Sequence, residues 1–102
     1  MKECCEKYLS DQFGGDAEVM NEIYAEYVAA ARQKIAEAES ALSTGQWEPL
    51  DKIAHTIKGN ALAAGDQEMA DVGISLRSAA KLQSRETAGP LVAKLKELAG
   101  TL

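Results

Sequence analysis

The chain has 102 residues, enough for one hydrophobic core and too few for two domains of ordinary size. Hydrophobic residues make up 46% and charged residues 26% of the chain, a composition that excludes an intrinsically disordered protein. The formal net charge of -5, with no long basic block, argues against a nucleic-acid partner.

Residues 1–13 are predicted to form an N-terminal segment with one short helix, from Lys2 to Leu9. Gly14 and Gly15 interrupt it, and Asp16 is a favourable N-cap for a long helix over residues 16–43. The apolar residues of the long helix recur at helical spacing and are predicted to be buried: Met20, Ile23, Tyr24, Tyr27, Val28, Ala31, Ile35, Ala38 and Leu42.

A second long helix is predicted over residues 47–64, with Pro49 in its first turn and Gly65 at its end. A third follows over residues 67–82, with Asp66 as its cap. Residues 83–89 have the composition of a polar connection, and Pro90 is predicted to begin a short last helix over residues 90–99. The predicted buried residues of these helices are Leu50, Ile53, Ala54, Ile57, Ala61, Met69, Val72, Leu76, Ala79, Ala80, Leu91, Val92, Leu95 and Leu98.

Four amphipathic helices joined by short loops predict an all-α fold, an antiparallel up-down-up-down four-helix bundle preceded by a short N-terminal helix. We expect a single domain over residues 1–102, in which the last helix covers only part of the bundle's height. The adjacent Cys4 and Cys5 cannot form a useful structural disulfide, and no cysteine or histidine pattern predicts a metal site. With no apolar stretch near ~20 residues and no signal-peptide pattern, we expect a cytoplasmic protein without a membrane partner. We also expect a monomer.

The single histidine, His55, is followed three residues later by Lys58 and four residues later by Gly59. This helical spacing places the three residues on neighbouring positions of one surface. On a helical wheel His55 points roughly 120–140° away from the buried stripe of its helix, so we expect an exposed imidazole. Lys52 and Lys58 are predicted to lie on either side of it.

These residue types together suit a phosphorylated histidine. A neutral imidazole nitrogen is a nucleophile near neutral pH, and a phosphoryl group attached to it brings negative charge that Lys58 can stabilise as a compact cation. Gly59 has no side chain, so a phosphoryl group and a second protein can approach closely. Because glycine inside a helix costs roughly 0.5–1 kcal/mol relative to alanine, its presence calls for such a reason.

The run Ala54-His55-Thr56-Ile57-Lys58-Gly59-Asn60, continued to Gly65, resembles the signature of histidine-containing phosphotransfer (HPt) domains. The resemblance covers most of the chain and includes the histidine, the lysine, the first glycine and the glycine ten residues after the histidine. It implies that His55 accepts a phosphoryl group, on the outer nitrogen Nε2, from an aspartyl phosphate of a response-regulator receiver domain and passes it to another receiver.

The resemblance further implies a phosphocarrier that is not an enzyme and has no cofactor, with Mg²⁺ and the acidic pocket on the receiver. Lys58 would stabilise charge, Gly59 would allow close approach, and Gly65 would end the helix. Lys52, Asn60, Leu62 and Ala63 are predicted to belong to the docking surface, because partner interfaces often have an apolar centre and a polar rim.

Two departures from the family pattern are visible. Asn60 stands where the family often has a small hydroxylated residue, although its amide can still donate a hydrogen bond. Arg77 follows Leu76 where a glutamate is often found. The arginine is expected to alter surface charge and partner choice, and neither departure is expected to touch His55.

Two other interpretations remain open at this point. The domain could be a helical adaptor that binds a receiver or kinase without chemistry, with His55 as an ordinary surface residue. It could also be the phosphotransfer domain of a larger hybrid or chemotaxis-type histidine kinase. The sequence has no ATP-binding glycine motif, so the chain is not expected to phosphorylate itself.

Overall fold

Five α-helices make up the computed structural model, which describes all of residues 1–102. They are α1 (Glu3–Phe13), α2 (Ala17–Ser43), α3 (Trp47–Ala63), α4 (Gln67–Lys81) and α5 (Arg85–Gly100). Each of α2, α3 and α4 contacts the next helix in the sequence, and α5 returns to contact α2. The predicted helical bundle with a short N-terminal helix is therefore confirmed. None of the helices is long and apolar enough to cross a membrane.

Side-chain caps lie at the starts of α2, α4 and α5. Those of α2 and α4 are aspartates. The carboxylate of Asp16 accepts a hydrogen bond from the backbone N–H of Val19, and that of Asp66 accepts one from Met69, each at 3.3 Å. Such caps satisfy an N–H group that the first turn of a helix leaves without a partner. The two caps that the sequence predicts, Asp16 and Asp66, thus lie at the starts of α2 and α4.

The prediction that the last helix begins at Pro90 is wrong, because α5 begins five residues earlier, at Arg85. Ser84 is the N-cap, and its hydroxyl oxygen accepts a hydrogen bond from the backbone N–H of Thr87 at 3.2 Å. Ala88, in the predicted polar connection, is fully buried and fixes the first turn against the bundle. With 16 residues α5 is one residue longer than α4, which has 15, so it is not the partial helix that we expected.

The N-terminal helix also extends further than predicted, from Glu3 to Phe13 rather than from Lys2 to Leu9. It ends at Gly14, whose φ of 65° is left-handed, a conformation that glycine adopts without steric cost.

The core runs along the axis between the helices and contains 24 buried apolar residues. Most of the predicted stripe residues are among them, while six are partly buried at its margin: Ile23, Val28, Leu42, Ile53, Val72 and Leu91. Many of the core residues are alanines, which let helix backbones approach closely. One such approach involves Gly73 of α4, where an added Cβ would lie 3.3 Å from the carbonyl oxygen of Ala54 and 3.3 Å from the backbone nitrogen of Lys58.

A buried polar cluster joins α1 to the bundle. It consists of Lys2, Tyr24, Tyr27 and Asp66, and we call it the Asp66 cluster. The fully buried Asp66 carboxylate accepts hydrogen bonds from Tyr27 Oη at 2.7 Å and from Lys2 Nζ at 2.8 Å. The backbone N–H of Lys2 donates to Tyr24 Oη at 3.0 Å. A buried charge needs such partners, since an unpaired carboxylate in the core would be strongly destabilising.

Gly65 lies beside this cluster, between α3 and α4. Its φ of 76° is left-handed, and an added Cβ would overlap the Cβ and ring of Tyr8. Gly65 therefore ends α3, as predicted, and also provides the space in which α1 packs.

Candidate functional site

His55 is exposed in the middle of α3, on the side of the helix opposite its buried residues Leu50, Ala54, Ile57 and Ala61. This is the orientation that the helical wheel predicts. Because the buried stripe fixes the rotation of α3, the imidazole is presented to solvent on a rigid element of the bundle.

Arg77, on α4, contacts the imidazole ring directly. Its Nη1 lies 3.1 Å from His55 Nδ1, and its Nε donates a hydrogen bond to Asp51 Oδ1 at 2.9 Å. The expectation that the Leu76-Arg77 departure would not touch His55 is therefore wrong. The reason is the close packing at Gly73, one helical turn before Arg77, which brings that face of α4 against α3.

Asp51 holds the guanidinium in place. It precedes His55 by one turn of α3 and forms the salt bridge with Arg77, both side chains being largely shielded from solvent. The hydrogen bond from Arg77 holds the pKa of the Asp51 carboxyl below its ordinary value, so this carboxylate remains charged. Asp51, Arg77 and His55 thus form one connected polar chain across the α3–α4 contact.

Lys58 lies beside this chain in a basic cleft. The cleft has a volume of about 160 Å³ and is lined by Lys58, Ile74, Arg77, Ser78 and Lys81. Three cations line it, although the whole protein is acidic. Arg77 both contacts His55 and lines the cleft, so the imidazole stands at the cleft's edge.

Lys52, the other lysine predicted to flank His55, does not line the basic cleft. Lys52 Nζ lies 3.4 Å from Glu48 Oε1, one turn earlier on α3, and both side chains are highly exposed. Gly65 is also separate from the imidazole, since ten residues of helix correspond to ~15 Å.

Gly59 has open space around it. An added Cβ at this position would meet no atom within 4 Å, in contrast to the crowded positions of Gly65 and Gly73. Packing within the chain therefore gives no reason for a glycine here.

Apolar side chains are exposed near the cleft. Leu62 lies about two turns from His55 on the same face of α3, with 44% of its surface exposed, and Ile74 on the cleft wall is 47% exposed. Asn60 and Ala63 instead line a groove of about 280 Å³ between α2 and α3, together with Ile23, Glu26, Tyr27, Ala30 and Ala64.

Sequence reasoning missed Asp51, Ile74, Arg77 and Lys81 as members of this site. One signal was available: Gly73 is a glycine within a predicted helix, and the residue one turn later, Arg77, lies on the same face. No group of three or more His, Cys, Asp or Glu side chains is placed to hold a metal ion, and the expectation that Mg²⁺ lies on a partner stays a prediction.

Comparison with known proteins adds one match. Residues 22–102 match the model of the family described as Hpt domain, a span that includes α3, α4, α5 and most of α2 and leaves out α1. Searches of curated proteins and of solved structures gave no significant match.

Proposed function

The chain belongs to the Hpt domain family, and from that premise we propose that His55 accepts a phosphoryl group from the aspartyl phosphate of a receiver domain and passes it to another receiver. Hpt domains perform histidine phosphotransfer in phosphorelays, where they interact with receiver domains and act as phosphocarriers without catalytic activity of their own. The acceptor residue, the donor and the direction of transfer are the specific parts of this proposal.

The observation that carries the proposal is an exposed imidazole at the edge of a cleft lined by three cations. Lys58, Arg77 and Lys81 place positive charge where a phosphoryl group on His55 would bring negative charge. Since the protein has a net charge of -5, this local concentration of cations is not a consequence of composition. It favours an anionic group at this one place.

We place the phosphoryl group on Nε2, because Arg77 Nη1 occupies the approach to Nδ1, and the ring reacts from the tautomer in which Nε2 carries no proton. In the proposed step the Nε2 lone pair forms the N–P bond, while the P–O bond to the aspartyl carboxylate breaks. The carboxylate leaves with the bonding electron pair. We place Mg²⁺ and the acidic pocket on the receiver, and no cofactor on this chain.

The surface around His55 supports docking of a second protein. Leu62 and Ile74 supply an exposed apolar area beside the cations, and the open space at Gly59 permits close approach. An apolar centre with a charged rim is the composition expected of a protein interface. We assign Asn60 and Ala63 to the neighbouring groove and Lys52 to the outer rim of the same surface.

The proposal is tested by incubating the protein with a panel of receiver domains that carry labelled phosphate. Wild-type protein should take up label that is lost in acid and persists in base. His55→Gln should take up none while unfolding at the same temperature, because an exposed side chain contributes little to stability. Label uptake by His55→Gln would refute the assignment of the acceptor.

The same experiment separates the adaptor interpretation from phosphotransfer. The exposed Leu62 and Ile74 would serve an adaptor equally well. If wild-type protein binds receivers but never acquires acid-labile phosphate from any of them, or from a histidine kinase included in the panel, then an adaptor is the better description.

A further inference from the structure

The contact between Arg77 and His55 restricts where the imidazole can carry its proton. A guanidinium has only N–H donors, so His55 Nδ1 can only accept in the 3.1 Å contact. A neutral imidazole has one N–H, which must then be on Nε2. The Arg77 contact therefore favours the Nε2–H tautomer of the free ring.

The charged groups around Arg77 hold its guanidinium against His55 Nδ1. Asp51 accepts from Arg77 Nε at 2.9 Å, which orients the guanidinium toward the ring. The other charged groups lining the cleft beside Arg77 are the cations Lys58 and Lys81. Asp51 is bonded to Arg77, and no other side chain is hydrogen-bonded to the ring, so nothing competes for Nδ1 by accepting a proton from it.

The Nε2 lone pair exists only when the ring proton is on Nδ1, so the ring must leave the tautomer that Arg77 favours before it can accept a phosphoryl group. In the transfer step Nε2 bonds to phosphorus, the phosphoryl carrier leaves with its electron pair, and the Nδ1 proton passes to solvent. The product is a neutral phosphoimidazole whose Nδ1 again has a lone pair that Arg77 can bind.

Release of the phosphoryl group is easier when a proton returns to Nδ1. An imidazole that leaves phosphorus without a proton on Nδ1 departs as an anion, whereas with that proton it departs as a neutral ring. Protonation of Nδ1 thus acts as acid catalysis of the departure. A donor held against Nδ1 opposes this protonation.

We propose that Arg77, held by Asp51, keeps Nδ1 of His55 unprotonated both before and after phosphorylation, and so lengthens the lifetime of the phosphohistidine. Arg77 is thereby a positioning residue that sets the tautomer of the acceptor. The statement about lifetime rests on the proposed function, whereas the statement about the tautomer does not.

The tautomer is measured by ¹⁵N NMR of the imidazole nitrogens at a pH where the ring is neutral, on the unphosphorylated protein. The Arg77→Gln side chain can either donate to Nδ1 or accept from Nδ1–H, whereas the Arg77→Glu carboxylate can only accept. Both variants should therefore raise the Nδ1–H fraction, and Arg77→Glu should raise it more. We expect a change in the tautomer ratio of about fivefold, a size that a charge-assisted hydrogen bond can produce. Arg32→Gln is the control, because Arg32 donates to the carbonyl of Ala99 near the end of α5.

The lifetime is measured separately, as loss of labelled phosphate from the isolated phosphoprotein at one neutral pH. Arg77→Gln should shorten it severalfold, while Arg32→Gln should not. Unchanged tautomer ratios in both Arg77 variants overturn the proposal even if His55 is phosphorylated. An unchanged lifetime overturns its second half, whereas failure of His55 to acquire phosphate from any donor refutes the proposed function and leaves the tautomer result valid.

Discussion

A substitution at Gly59 is expected to have opposite effects on the stability of the protein and on phosphoryl transfer. Because nothing in the chain lies near its missing Cβ, Gly59→Ala should stabilise the protein by roughly 0.5–1 kcal/mol in denaturant unfolding. The methyl group should at the same time slow phosphoryl transfer from a receiver. Gly89→Ala is a control for the transfer rate alone, since Gly89 is also within a helix and has no neighbour within 4 Å, but it precedes Pro90, which restricts a residue that has a Cβ. Equal transfer rates in the two variants would remove the proposed role of Gly59.

Lys58 is expected to assist transfer without being essential. Lys58→Ala removes one of the three cations of the cleft, and Arg77 and Lys81 remain. We expect the rate of transfer from a receiver to fall about three- to tenfold, the effect of one partly solvated charge. Lys94→Ala, which removes an exposed lysine paired with Glu97 on α5, should leave the rate unchanged. A complete loss of transfer would show that Lys58 has a more direct part.

The exposure of His55 could be predicted from sequence, because it depends only on the rotation of one helix. The buried stripe of α3 determines that rotation. The contact of Arg77 could not be predicted in this way. It depends on how α3 and α4 pack and on the small size of Gly73, and a single helical wheel contains no information about a second helix.

The contact between α3 and α4 is the element that assembles the site. Gly73→Ala should destabilise the protein by roughly 1–3 kcal/mol, because the new Cβ would press on the backbone at Ala54 and Lys58. The same substitution at Gly59, on the open face of α3, is expected to have the opposite sign. Chemical denaturation of both variants checks this, and stabilisation by Gly73→Ala would show that the helices separate easily.

The start of α5 shows why element boundaries are difficult to predict. Residues 83–89 contain little apolar surface, and Pro90 is a common first residue of a helix. The structure instead begins the helix at the Ser84 cap, and buried Ala88 stabilises the turn before the proline. One small buried residue in a polar run gives a weak signal, since alanine is common on exposed helix faces as well.

The protein as a whole should lose stability in alkaline solution. Burial raises the pKa of the Cys5 thiol to about 12 and raises that of Tyr27, which also donates to Asp66. Above pH ~9 the unfolded chain therefore holds fewer protons than the folded one, and stability falls as pH rises, by about 1.4 kcal/mol per pH unit for each such group. Burial alone would lower the pKa of Lys2, but its hydrogen bond and charge interaction with Asp66 raise it, which adds to this loss.

Denaturant unfolding at a series of pH values tests this dependence. Cys5→Ala should be less stable than wild type near pH 7, because it leaves a small cavity, but its stability should fall less steeply between pH 9 and 12. The buried Leu9 of the same helix provides the control, since Leu9→Ala also leaves a cavity but removes no titratable group and should retain a slope close to that of wild type. Parallel slopes for wild type and Cys5→Ala would contradict the effect of burial on this thiol.

The ion pair between Lys2 and Asp66 has a consequence for the order of folding. The helix contacts mostly join neighbours in the sequence, an arrangement of low contact order that favours rapid folding. The ion pair is an exception, because 64 positions separate its partners. The ammonium group has no binding place until the turn between α3 and α4 has formed and Gly65 has left space for Tyr8. We therefore expect the first helix of the sequence to reach its native position last and, in hydrogen exchange, to open first.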